Sequence, residues 1–423
     1  MKIKRIYTEE KGAVLVAVIF VLLVMMTLLT SLLGMTATEA KIAYNDVYAT
    51  QAFYLAEGGT QLAVNRLYEE PNFRGEMLEQ PLAIEEGMIT SISIEDNNGK
   101  VKVTSKAIVK GIKKNVAVDL EIKTNLGVFS NAITAFGEGV NASIGKESTV
   151  KNGPVVINGN LTLKKGVKIK KEDNAEVAVN GQLTVGKDCE INQVEFNESM
   201  VPEVNSSLPD IENPASNNKP ETYIEDPLIF EEGGVYLVNG DVSLDNLSNV
   251  TIYSTGNINI LQESQLDSVV LLAEGNIETS KEVTILDSSL YCDGYLTFGK
   301  ENTLNSVELW SGEEIKLDRE INISFSRLYC NGLTVDKENT LNNVAIVSFS
   351  DINLKKEVDI NGAVYAEGDF TAKEELFLNG SLFAKNIILK KESTIIYDTN
   401  TIEPIIPSEL SSTTVNFLDW SSS

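Results

Sequence analysis

The hydrophobic pattern of the chain changes character twice, and each change marks a different kind of structure. From Ala13 to Leu33 the sequence is apolar apart from Thr27, Thr30 and Ser31, and no charge occurs between Lys11 and Glu39. A run of that length spans a bilayer as a helix. Beyond it, Ala40, Ala43, Tyr44, Val47, Ala52, Leu55, Ala56, Leu62, Ala63 and Leu67 recur mostly at steps of three and four, which predicts one helix over 13–67. At 1.5 Å per residue such a helix is about 80 Å long, so its outer half needs a soluble domain or neighbouring helices to pack on. Gly34 and the pair Gly58 and Gly59 are its expected weak points, since glycine inside a helix costs about 1 kcal/mol relative to alanine.

After a polar stretch broken by Pro71, Gly75 and Pro81 the period shortens to two. Residues 88–95, 100–109 and 113–123 read as strands, separated by Asn97, Asn98 and Gly99 and by Lys110 and Gly111, both hairpin-type turns. A small antiparallel sheet over 88–124, packed on the helix, follows.

From residue 235 a longer period takes over. The hexapeptide KENTLN stands at 300–305 and again at 337–342, and Lys-Glu pairs begin at Lys281, Lys300, Lys337, Lys356, Lys373 and Lys391, with Arg319 filling the gap, in steps of 17 to 19 residues. Short β-branched and aromatic runs lie between them. One such unit leaves its strand edges and apolar row open, and stacking closes both. The expected fold is therefore mostly β: a long N-terminal helix, a small antiparallel sheet, and a parallel β-helix, or solenoid, over 235–397. Weaker copies predict its first rungs over 128–193. Between them, 194–234 holds five prolines and reads as a linker or surface loop. Residues 398–423 are expected to be irregular, with Phe417, Leu418 and Trp420 folding back over the solenoid end.

Composition narrows the chemistry. Hydrophobic residues make up 43% of the 423, enough for a sizeable core, and 61 Asp and Glu against 35 Lys and Arg give a net charge of −26, which makes nucleic acid a poor partner. The chain has no histidine, and so no Ser-His or Cys-His pair and no His-ligated metal. Cys189, Cys292 and Cys330 lack metal-site spacing. Cys292 and Cys330 fall two rungs apart, roughly 9 to 10 Å, beyond disulfide reach, so free thiols are expected. Asp241, Asp245, Glu313, Glu314 and Asp318 are acids of the kind a polysaccharide-cleaving solenoid uses, but rungs of nearly constant length offer no loop to wall a cleft, and solvated turns are the favoured reading. No cofactor or metal is expected.

Lys2, Lys4, Arg5 and Lys11 precede the span and place the N-terminus in the cytoplasm and the bulk outside. The basic leader ending EEKG at 9–12, followed at once by the apolar run, resembles a type IV prepilin leader. That resemblance implies cleavage by a prepilin peptidase between Gly12 and Ala13. The segment 38–67 is similar to the N-terminal region of PilX-type minor pilins, with Glu39, Gln51, Ala52, Phe53, Ala56, Glu57 and Ala63 at the matching positions. The match covers about the first 70 residues, and the solenoid resembles bactofilin-like repeats. By this resemblance Glu39, Phe53 and Glu57 are assembly residues, and Ala17 stands where most major pilins carry a glutamate.

The implied function is a minor pilin-like subunit of a type IV pilus or related filament, displaying the solenoid for adhesion, spacing or assembly, with other pilin subunits and the assembly machinery as partners. Two alternatives stay open: a membrane-anchored polysaccharide-binding or polysaccharide-cleaving β-helix, and a pseudopilin of a secretion or competence system. Tyr291, Trp310 and Tyr329 occupy equivalent places on successive rungs. Facing outward they are candidate contacts for a surface glycan or protein; facing inward they are core. The dense basic cluster Lys164, Lys165, Lys168, Lys170 and Lys171 is read as protection of a rung edge.

Overall fold

The computed structural model describes residues 10–69, 73–78, 80–84, 87–97, 100–201, 223–225, 229–406 and 412–422, with the backbone path alone at 10–14, 69, 123–125, 138 and 412–422. The expected leader, 1–12, falls mostly outside them. The chain divides into two compact units, residues up to 123 together with 413–423, and residues 124–412. The second is thus an insertion within the first.

In the first unit one uninterrupted helix runs from Glu10 to Glu69. Its outer half buries a stripe at steps of three and four, Ala52, Ala56, Gly59, Thr60, Ala63, Val64 and Leu67. Facing it are the inward alternates of the sheet, among them Ile89, Ile92, Ile94, Val103, Val116, Val118 and Leu120. Small residues let the helix backbone sit close to the sheet. A Cβ on Gly59 would collide with the Ser105 hydroxyl, whereas one on Gly58 would meet nothing within 4 Å. The expected weak point at Gly59 is thus where the helix packs most tightly.

The sheet is a meander of Gly87–Asn97, Lys100–Val109 and Ile112–Asn125, paired antiparallel with Ile92 opposite Ser105 and Val103 opposite Val118. Residues Ser412–Ser422 form a further strand beside Ile112–Asn125. This corrects the irregular tail expected over 398–423: the alternating Val415, Phe417 and Leu418, Trp420 supply a strand pattern, and the strand covers a sheet edge that is otherwise open.

The second unit is a parallel solenoid of about 13 turns, roughly 60 Å long at the spacing between strands. A full rung has three short strands, for example Ser289–Cys292, Leu296–Phe298 and Thr303–Asn305. Stacking is in register, with Leu271, Leu290, Leu309 and Leu328 on successive rungs. The Lys-Glu pairs mark the corner between second and third strands. There the glutamate of each pair takes a left-handed conformation, with φ +61° at Glu301 and +62° at Glu338, except beside Lys373, where Glu375 and not Glu374 is left-handed; the turn points the next residue inward. Where that residue is asparagine it bridges rungs: the backbone N–H groups of Val283 and Ile321 donate to Oδ1 of the buried Asn302 and Asn339 at 2.7 and 2.8 Å. KENTLN is therefore a corner with its own polar bridge, and it repeats every second rung because aliphatic Val283, Ile321 and Val358 fill the rungs between.

The order of the rungs departs from the order of the sequence. The last C-terminal rung pairs with the first N-terminal one, Leu382 with Ile133 and Ile387 with Ala142, and stacking continues through Val155 and Val177 to Gln193. At the opposite end Ile224 pairs with Tyr236. The chain enters the rod at an inner rung, builds to one tip at Gln193–Val194, resumes at the other tip at Ile224–Glu225, and builds back to the inner rungs. Most of the expected linker, 202–222, lies outside the described residues, but Ile224–Glu225 is already solenoid strand.

Candidate functional site

The first half of the helix is apolar and exposed on every side. It is long and apolar enough to cross a membrane, with a mean hydropathy of 2.8 in its most apolar stretch, none of it buried. Its threonines satisfy themselves along the helix: the hydroxyls of Thr27, Thr30, Thr36 and Thr38 donate to carbonyls three or four residues earlier, at 2.8 Å for Thr27 to Val24 and Thr38 to Gly34. Gly12 and Ala13 lie within the helix, and Ala17 and Glu39 are exposed on it. Phe53 is half-buried against the core of the small unit, and Glu57, one turn further along the helix, is half-buried too. Past the span, Ile42, Tyr44, Val47 and Tyr54 stay exposed, an apolar surface that continues outside the membrane-length segment and that period alone had assigned only in part.

On the solenoid, the first strand of each rung alternates inward residues such as Leu290 and Cys292 with outward ones. Tyr291, Trp310 and Tyr329 point outward in one column, but the column is not open. Tyr329 is 8% exposed, within a second apolar cluster formed with Phe129, Val347, Tyr365, Phe383, Ile402 and Ile406. The segment around the helical turn Thr399–Ile402 thus covers part of this face. Trp310 is half-buried, its Nε1 buried without a hydrogen-bond partner among the described residues, and Tyr291 donates to Glu308 Oε1 at 2.9 Å. Burial pushes the Tyr253 and Tyr291 hydroxyls up to about 12, with the charges of Glu274 and Glu308 adding to it.

The more open feature lies one corner away. A cavity of about 680 Å³ is lined by Asp287, Glu308, Arg327, Asn343, Pro404 and Ile405, with Phe325 at its edge. Phe325 is 64% exposed and left-handed at φ +50°, a conformation that costs a bulky residue about 1–3 kcal/mol. Neighbouring rungs put Asn249, Ser268, Asp287, Ser306 and Asn343 there. Aligning the rungs by period, rather than by their Lys-Glu marks alone, would have singled out Phe325.

No family model matches the chain, and no curated protein matches it. Among solved structures it is similar to the crystal structure of the competence-associated pilin ComZ from Thermus thermophilus, at 11% identity over 89% of this chain and 97% of that one, with a TM-score of 0.24. A score that low carries no inference about fold or function.

The acids weighed as a cleaving set fall on two separate rungs, Asp241 and Asp245 on one and Glu313, Glu314 and Asp318 on another. Asp241 and Glu314 lie four rungs apart, roughly 19 Å, too far for a pair of catalytic carboxyls. Asp241 Oδ1 instead accepts from the Asn257 backbone at 2.8 Å, the first step of a ladder in which Asn257 serves Asn276 and Asn276 serves Tyr295. Asp245 accepts from Ser264 Oγ at 3.2 Å. Among the basic cluster, Lys170 is paired with Glu190 and Glu172.

All three cysteines are free, with Cys292 and Cys330 buried and separated by the rung of Ser311. Burial pushes both thiols up to about 12. Iodoacetamide at pH 8 is expected to modify Cys189 in the folded protein and all three only after denaturation; a folded protein that loses two thiols would contradict this packing. Because these pKa values are raised on folding, the stability they carry is complete below the unfolded value near 8.5 and is lost as pH climbs toward 12. The melting temperature should fall across that window.

Proposed function

We propose that the chain is a pilin-like surface subunit, cut after Gly12, inserted through residues 13–33, and acting by assembly and contact rather than by catalysis. The observation that supports this best is the helix itself: one continuous element, bare and apolar over its first half, then packed by a stripe of small residues onto an antiparallel sheet. A bare apolar helix of this length finds its cover in lipid and, past the span, in the helices of other subunits. The exposed Ile42, Tyr44, Val47 and Tyr54 fit the second role.

Ala17 sets the place in a filament. In the resembling family a glutamate at this position pairs with the N-terminal amine of an adjacent subunit in apolar surroundings, where an unpaired charge is costly. A subunit with alanine there cannot offer that partner, yet its own amine can accept one. This favours a low-copy subunit at the filament end, as does the bulk of a solenoid of about 13 turns. N-terminal sequencing of membrane-extracted protein should begin at Ala13, and a start beyond Leu33 would sink the leader assignment. Immunogold labelling of sheared filaments should mark ends; regular labelling along the shaft would exclude the terminal position.

A further inference from the structure

The corner that carries the Lys-Glu pairs changes character along the rod. The position two before each left-handed acid reads Ser280, Gly299, Asp318 and Asp336 on the outer rungs, then Lys355, Lys373 and Lys390. The next rung in space comes from the other end of the sequence: Lys146 bridges to Lys391, Gly145 stacks against the Lys390 backbone, and Lys164 follows Gly145 on the rung beyond. A cleft of about 470 Å³ opens here, lined by Lys146, Lys164, Lys355, Lys373, Lys390 and Lys391 with a single acid, Glu374.

Two of these lysines are neutralised, Lys391 by Glu374 at 2.8 Å and Lys355 by Asp336 at 3.2 Å. Lys146, Lys164, Lys373 and Lys390 have no carboxylate within 4.0 Å among the described residues, and all four are exposed. The acids of the same corner lie on its other side, where Glu338, Glu357, Asp359, Glu375 and Glu392 line a separate cleft. Lysines on neighbouring rungs repel one another, and rungs are roughly 4.8 Å apart. In a chain of net charge −26, a file of unneutralised lysines is a local reversal that an anionic ligand would relieve.

We propose that this cleft binds a base-free polyanionic chain, of the phosphate-linked kind, laid along the solenoid axis. The stacked lysines meet repeated charges along one line. No aromatic ring lines the cleft, so it lacks the stacking platforms by which proteins hold single-stranded nucleic acid.

The test is binding of inorganic polyphosphate to the full-length, detergent-solubilised protein across a series of KCl concentrations. Changing Lys146, Lys164, Lys373 and Lys390 together to Gln should weaken binding by about a hundredfold and lower the slope of log K against log salt by about 3. The same number of changes on the small sheet, Lys100→Gln, Lys102→Gln, Lys106→Gln and Lys113→Gln, should leave both unchanged. The four cleft residues are exposed, so an unaltered melting curve is expected and separates lost binding from lost folding. Absence of binding by the unmodified protein, equal binding by the cleft variant, or equal loss in both variants would each overturn the proposal. Single-stranded DNA of matched charge is expected to bind more weakly; equal or tighter binding would overturn the base-free assignment.

Discussion

Valine in place of Gly380 is expected to destabilise the solenoid by about 3–5 kcal/mol. Gly362 and Gly380 stand on adjacent rungs with φ +158° and +152°, backbone that residues with a Cβ rarely adopt. A Cβ on Gly380 would also collide with the Gly362 carbonyl oxygen, and one on Gly362 with the Val344 carbonyl oxygen. Neither neighbour is a flexible side-chain tip that can move aside, so the rung itself must shift. That rung is the one that pairs with Ile133, and the damage reaches the seam where the two ends of the repeat meet. Thermal unfolding of Gly380→Val beside Gly332→Ala measures it. At Gly332 the nearest atom to a new Cβ would be Glu314 Cγ at 3.6 Å, an ordinary contact, and the control should stay within about 1 kcal/mol of the parent. A Gly380→Val protein that melts with the parent would mean the register of these rungs is wrong.

The second large effect is a reversal of sign between adjacent glycines. In a helix with nothing near it, alanine for glycine stabilises by about 1 kcal/mol, and Gly58→Ala should do so because its surroundings are empty. Gly59→Ala should instead destabilise the small unit by about 2 kcal/mol, because the new methyl group displaces Ser105 and lifts the helix from the sheet. Ser105→Gly in the same protein should recover at least about 1 kcal/mol of that loss. Chemical denaturation followed by helix signal reads all three, and stabilisation by Gly59→Ala would mean that the helix does not pack on the sheet through this face.

The elements that could be read from the chain are those whose period is short and whose chemistry is local. The helix, the meander and the Lys-Glu corners each declare themselves within a few residues. Rung order does not, because a repeat specifies that like units stack and leaves open which unit is next to which. The N-terminal rungs were faint for a geometric reason. Val155 pairs with Ile133 and with Val177, a spacing of 22 that falls out of phase with the later spacing of 19 between Leu271 and Leu290. The column of Tyr291, Trp310 and Tyr329 is ambiguous in sequence because both alternatives hold in part: it faces outward, and the residues that cover Trp310 and Tyr329, namely Phe129, Ile402 and Ile406, are distant in sequence. The lysine cleft was invisible for the same reason, since Lys146 and Lys164 join Lys373 and Lys390 only across the seam.

The permuted order also decides how the rod carries load. Both places where the chain enters and leaves the solenoid belong to inner rungs, and both lead to adjacent strands of one small sheet, Ile112–Asn125 and Ser412–Ser422. Each tip of the rod is then a turn-back with no free end. A stacked repeat usually peels from its outermost unit, but here opening a tip rung slackens an internal loop and releases nothing. Tension drawn through the attachment falls on the seam between Leu382 and Ile133, with continuous chain on both sides of it, so the rod behaves as a buckle whose clasp is in the middle.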